Sequence, residues 1–222
     1  MDRKKVPTPD QRTSARYLLE MPGDRLYSEP RAFPKICSAS LFGDEKPMEL
    51  EVGCGSGEFL CSLAQRDRET NFVGIEVKHK SVYEAVATAA SIDLDNILFL
   101  RANFRLLYPL LMTNSLRAVY LHFPDPNTRQ KFRKHRIFSD RFLDEMHAAT
   151  VAEGRISVMT DHAGSFAEML ELAESDDRWE KAHEERYLVG FEDESRSRYQ
   201  RIWEGHGIPT LRFELVKSGG RG

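Results

Sequence analysis

From Pro47 onward, short apolar runs alternate with longer segments of helical spacing. That alternation predicts successive βα units and an α/β fold: a mostly parallel twisted sheet with helices on both faces. The strand candidates are Met48–Val52, Phe72–Glu76, Ile97–Leu100, Ala118–Phe123 and Arg155–Thr160. Each is compact, as suits a strand covered on both sides. Helices are expected over Glu58–Gln65, Ser81–Ala90, Arg105–Met112, Ser139–Val151 and Ala163–Glu174, with Ser139 and Thr160–Asp161 supplying capping chemistry for the last two. Trp179–Ala182 and Leu211–Val216 read as closing strands. Residues 1–46, rich in Pro, Arg and polar residues, show no sustained period and read as a partly irregular arm; residues 47–222 read as the domain.

Length and composition narrow this picture little. A chain of 222 residues suits one α/β domain with appendages, and 41% hydrophobic with 30% charged residues is ordinary for a soluble protein. The three cysteines, Cys37, Cys54 and Cys61, form no CxxC pair, and the seven histidines show no metal-ligand spacing, so neither a disulfide framework nor a metal is expected. No long apolar stretch occurs, which points to a cytoplasmic protein away from membranes. The net charge of −3 conceals a contrast: Arg129 to Arg136 reads RQKFRKHR, with no acid, whereas acids dominate between Glu168 and Glu194.

In a doubly wound sheet, ligands bind at the carboxyl ends of the strands near the switch in strand order. The first strand there runs into Glu51-Val52-Gly53-Cys54-Gly55-Ser56-Gly57-Glu58. Glycines 53, 55 and 57 permit a tight turn and close approach of a ligand. A dinucleotide site would want GxGxxG, but position 58 is Glu and Glu51 precedes the loop. Two carboxylates repel a pyrophosphate and suit a ligand carrying an ammonium and a sulfonium, which is S-adenosylmethionine. Glu76, ending the second strand, stands where ribose hydroxyls would lie, and Asn103, after the third, can address an adenine edge. Taken singly, Glu76 is also an ordinary strand-end charge, Asn103 an ordinary turn residue and Cys54 simple packing.

The fourth strand ends in Leu121-His122-Phe123-Pro124-Asp125-Pro126, where two prolines restrict the backbone around Asp125 and preorganise its carboxylate. The basic run begins four residues later. Arg129, Lys131, Arg133, Lys134 and Arg136 could track RNA phosphates, although a charge run is by itself usually a solvated face.

Together these residues resemble the bacterial tRNA (guanine-N7-)-methyltransferase family over about Pro47 to Phe213. Its LEIGxGxGEF is similar to Leu50–Phe59, its GIE to Gly74–Glu76, its FPDP to Phe123–Pro126 and its later TD to Thr160-Asp161. The tail SRSRYQRIWEGHGIPTLRFEL resembles its TKxExxxxxxGxxIxxLxFE. The resemblance implies a Rossmann-like class I methyltransferase fold and S-adenosyl-L-methionine as cofactor, contacted by Glu51, Gly53, Gly55, Gly57, Glu76, Asn103 and Asp125. It further implies Asp125 as the catalytic residue, and Arg129, Asp161, Ser197, Arg198 and Gln200 around the guanine nucleotide. tRNA would be the partner of a monomer or homodimer. The chain departs from the family at Asn127 for Trp, Arg129 for Lys, and Asn103 and Gln200 for acids. The residues alone leave open methylation of another RNA or non-RNA acceptor, and a weakened relative that only binds RNA.

Overall fold

The computed structural model describes residues 6–126, 136–190 and 198–219. Among the described residues, nine strands form one sheet: β1 (Leu18–Glu20), β2 (Met48–Val52), β3 (Asn71–Glu76), β4 (Ile97–Arg101), β5 (Leu116–His122), β6 (Thr150–Thr160), β7 (Trp179–Lys181), β8 (Leu188–Val189) and β9 (Leu211–Lys217). The α-helices of the described residues are α1 (Gln11–Tyr17), α2 (Gly23–Ser28), α3 (Ser38–Leu41), α4 (Glu58–Arg66), α5 (His79–Ser91), α6 (Asp140–Ala149), α7 (Ala163–Glu174) and α8 (Arg198–Gly205). The sheet order is β1-β4-β3-β2-β5-β6-β9-β7, with β8 pairing to β9. Strands β1 to β6 pair in parallel and β9 runs antiparallel to its neighbours. The order reverses between β2 and β5, so the switch point lies where Val52 and His122 leave the sheet.

One hydrophobic cluster gathers Leu60, Ala64, Phe72, Val82, Ala85 and Phe99 beneath α4 and α5; a second joins Leu50, Val119, Phe142, Met146, Phe166 and Phe213 beneath α6 and α7. All five residues of β2 are buried, including two carboxylates. The expected strands and most expected helices are present.

Three regions differ from the sequence expectation for local reasons. Arg105–Met112 was expected as a helix but forms two 3-10 turns, Phe104–Leu106 and Tyr108–Leu110, because Pro109 has no N–H to continue a helical ladder. The helix expected over Ser139–Val151 ends at Ala149, and Thr150 already pairs with Leu116 as the start of β6. Helix α7 is capped by the imidazole of His162, whose Nδ1 accepts from the Ser165 amide at 2.9 Å, one residue past the expected Thr160–Asp161 cap. Within the arm, β1 extends the sheet beside β4, Tyr17 enters the α4/α5 core, and Met21, Leu26 and Ile36 enter the other.

The loop after β2 is locked by packing at its far end. Gly57 is left-handed (φ 71°) and N-caps α4, and a Cβ there would stand 2.7 Å from the Ala85 Cβ. At Gly55 (φ 54°) an added Cβ would meet nothing within 4 Å. Gly57→Ala should therefore cost about 2–5 kcal/mol, from backbone strain plus overlap, and Gly55→Ala only the strain, about 1–2 kcal/mol. Urea unfolding of the two variants checks this; equal losses would contradict the packing argument.

Candidate active site

The exits of five parallel strands supply the candidate residues. Gly53 and Cys54 both donate to the Ile75 carbonyl, at 2.8 and 3.0 Å, which turns the chain sharply over the end of β3. A Cβ at Gly53 would meet no atom within 4 Å, as at Gly55, so this stretch of loop presents bare backbone to open space. Cys54 instead points into the core, its Sγ 2.8 Å from where a Cβ on Gly74 would lie, and burial raises its thiol pKa well above the ordinary value. It is packing.

Two carboxylates two residues apart on β2 meet opposite fates. Glu49 is satisfied within the protein: Arg117 Nε donates to one oxygen and the Tyr120 hydroxyl to the other, both at 2.8 Å. Glu51 is 3% exposed, and its Oε2 has no hydrogen-bond partner among the described residues. Burial, reinforced by the nearby charge of Glu76, pushes its pKa up to about 8. A carboxylate left in this condition is stabilised by a cation arriving at the loop.

The other described candidates lie at the neighbouring strand exits and on α8. Glu76 ends β3, and its Oε1 accepts from the amides of Val77 (2.7 Å) and Lys78 (2.9 Å), which fixes the carboxylate's direction. Asn103 follows β4, is exposed, and uses Oδ1 to cap the Phe104–Leu106 turn through the Arg105 amide at 3.1 Å. Asp125 lies exposed beyond β5, and Asp161 is half-buried beyond β6. Gln200, on α8, is fully buried and donates to Glu204 at 2.9 Å. The next residue, Arg201, pairs with Glu58 at the start of α4, so α8 reaches across to the helix that the glycine loop opens. Asn127, Arg129, Lys131, Arg133, Lys134 and Ser197 lie outside the described residues, and Arg198 is placed only as the first residue of α8. Arg136, the last cation of the run, turns inward: Nε donates to the Pro126 carbonyl at 2.9 Å and the guanidinium pairs with Glu168 of α7.

Sequence reasoning overlooked two residues beside Asp125. Phe123 holds a left-handed backbone (φ 51°), unusual for an aromatic, while its amide donates to the Met159 carbonyl at 2.7 Å. His122 is buried against Phe59 (centroids 4.7 Å apart) with Nε2 3.3 Å from Ser157 Oγ; burial and the Arg212 charge lower its pKa to about 3. The imidazole is uncharged at neutral pH. The motif HFPDP contained both residues, but no sequence signal reveals a positive φ or a buried ring at a strand end.

Comparison with known proteins places this geometry. A family model described as "Putative methyltransferase" matches residues 45–206. A tRNA (guanine-N(7)-)-methyltransferase of Rubrobacter xylanophilus is 50% identical, covering 98% of this chain and 97% of its own. The chain belongs to the tRNA (guanine-N7-)-methyltransferase family. Another member, from Chloroherpeton thalassium, is 39% identical over 97% of this chain and 95% of the relative. A solved antibiotic-related methyltransferase, 15% identical with TM-score 0.58 over 95% of this chain and 96% of the other, shows the likeness of fold. The sheet of this family member is thus that of the Rossmann-like class I methyltransferases.

The state of Glu51 generates a pH dependence. Its folded pKa lies above the usual value of 4.5, so its contribution to stability is complete below about pH 4.5 and is lost as pH rises through about 8. Glu51→Gln, neutral at every pH, should remove this decline and gain stability relative to the parent between those limits, by a few kcal/mol in order of magnitude. Chemical denaturation across that range measures it; parallel profiles for the two proteins would contradict the assignment.

Proposed function

We propose that this chain transfers a methyl group from S-adenosyl-L-methionine to N7 of a guanine in tRNA. The observation that carries the reading is the end-to-end similarity to a relative bearing that name, at 50% identity. The residues present fit the cofactor: a buried carboxylate with an unpartnered oxygen, beside glycines whose missing Cβ atoms leave room. When bound, S-adenosylmethionine supplies an electrophilic methyl group on a positively charged sulfur. We assign Glu51 and the bare backbone of Gly53 and Gly55, with Gly57 closing the loop onto α4, to its cationic amino-acid end, Glu76 to the ribose hydroxyls and Asn103 to the adenine edge. Asn103 would present its side-chain NH2, since its oxygen already caps a turn.

Guanine N7 carries an in-plane lone pair and no proton, so no residue needs to remove one. The protein's task is orientation, which alone can lower a barrier by several kcal/mol. Asp125 accepts hydrogen bonds from the guanine N1–H and exocyclic amine; this aligns the base and offsets the positive charge it gains. Asp161, Arg129 and the Ser197, Arg198 and Gln200 segment surround the nucleotide, and Lys131, Arg133 and Lys134 meet RNA phosphates. We read residues 1–46 as an arm on a 47–222 methyltransferase domain, acting in the cytoplasm as a monomer or homodimer.

Incubation of bulk tRNA with labelled S-adenosylmethionine, followed by nucleoside analysis, should yield 7-methylguanosine. Asp125→Ala should lower turnover by about 100-fold or more with cofactor affinity nearly unchanged. Label in a different nucleoside, or full turnover in that variant, would overturn the reading.

A further inference from the structure

Arg136 closes a charge run that reads as an RNA-facing surface, yet its own environment is internal. Its side chain is 16% exposed. Nε donates to the Pro126 carbonyl at 2.9 Å, and Nη1 pairs with the Glu168 carboxylate on α7. Its backbone carbonyl accepts from Arg105 Nη2 at 3.2 Å, and Arg105 lies in the turn that Asn103 caps. A single residue therefore touches the exits of β4 and β5 and the helix after β6. A guanidinium engaged this way has exchanged water for a carbonyl and a carboxylate. It has little charge left to displace counterions from a phosphate.

The contact with Pro126 is the informative one. Asp125 is bracketed by Pro124 and Pro126, which lack N–H groups and cannot be tied down through backbone donation. Phe123 anchors the near side of the corner through its amide to Met159, and the Pro126 carbonyl is the acceptor on the far side. We infer that Arg136 is a positioning residue for the reaction, holding the Asp125 corner to α7 through the Pro126 carbonyl and Glu168 rather than binding tRNA phosphate. The inference rests on the guanine-methylating role given to Asp125 above. Arginine suits the task because its planar fork reaches a carbonyl from Nε and a carboxylate from the terminal nitrogens together, whereas lysine is a point donor. A displacement of about an ångström at a positioned catalytic group can cost about 100-fold in rate.

The test compares the parent with Arg136→Lys, Arg136→Ala and Glu168→Gln, the last keeping the arginine while weakening its anchor. Three quantities are measured: kcat at saturating tRNA, the dependence of tRNA Kd on salt, and the thermal midpoint. The two Arg136 variants should lose about tenfold or more in kcat, with Glu168→Gln falling in the same direction by less. All three should keep the parent's slope of log Kd against log salt. A slope reduced by about 0.7–0.9, the signature of one lost phosphate contact, would overturn the inference. So would unchanged kcat with a lowered thermal midpoint, which marks a merely structural strut. If Arg136→Ala fails to fold, Arg136→Lys and Glu168→Gln still decide. Formation of 7-methylguanosine by the parent tests the functional reading separately, and if the parent forms none, the salt slopes still discriminate a phosphate contact from an internal one.

Discussion

A buried glutamate, one of whose oxygens has no hydrogen-bond partner among the described residues, stands where a parallel sheet changes direction, and the account of the site depends on it. Burying a carboxylate in such a place is costly, and proteins normally relieve the cost with hydrogen bonds or an opposite charge. Glu49 shows that this fold can do so, since Arg117 and Tyr120 satisfy it on the same strand. Two residues further, where β2 gives way to the glycine loop, the relief is withheld. Burial raises the Glu51 pKa to about 8, so that it holds its proton near neutrality, the state that the proposed cationic cofactor would change. The turn through Gly53 and Gly55 leaves the room such a ligand needs.

The remaining strand exits are arranged around that point, each by a different local device. Glu76 is oriented by two amides of its own chain, Asn103 by capping a turn, and the Asp125 corner by the left-handed Phe123 and its bond to Met159. His122, buried beside Phe59 with its pKa lowered to about 3, is uncharged near neutrality. This suits a reaction in which no proton need be removed from the attacking nitrogen. Catalysis by alignment demands rigid backbone at the strand ends, and the hydrogen bonds found there supply it.

Much of this was legible in the residues, because the strands are short apolar runs and the glycine loop has a mechanical reason for each position. Met48–Val52 and Ala163–Glu174 fall where periodicity puts them, and the motifs from Glu51 to Asp125 reach one edge of the sheet as the parallel topology requires. The misses are places where tertiary structure outweighs local pattern. Strand β1 gains its identity only from the open edge of β4. Pro109 interrupts a stretch whose apolar spacing is otherwise helical. The contacts of Arg136 with the Pro126 carbonyl and Glu168 were not legible either, because sequence distance conceals them. That Glu51 Oε2 lacks a partner among the described residues was equally invisible, since an acid before a glycine loop reads the same whether paired or not.

The central claim is that binding of the cationic cofactor ionises Glu51. Calorimetric titration of S-adenosylmethionine into the protein at pH 7, in buffers of differing ionisation enthalpy, tests it most directly. The account predicts release of most of one proton per cofactor bound, seen as an apparent enthalpy that varies linearly with the buffer's own. Binding with an enthalpy independent of buffer would mean that Glu51 does not change state, and the account would fail.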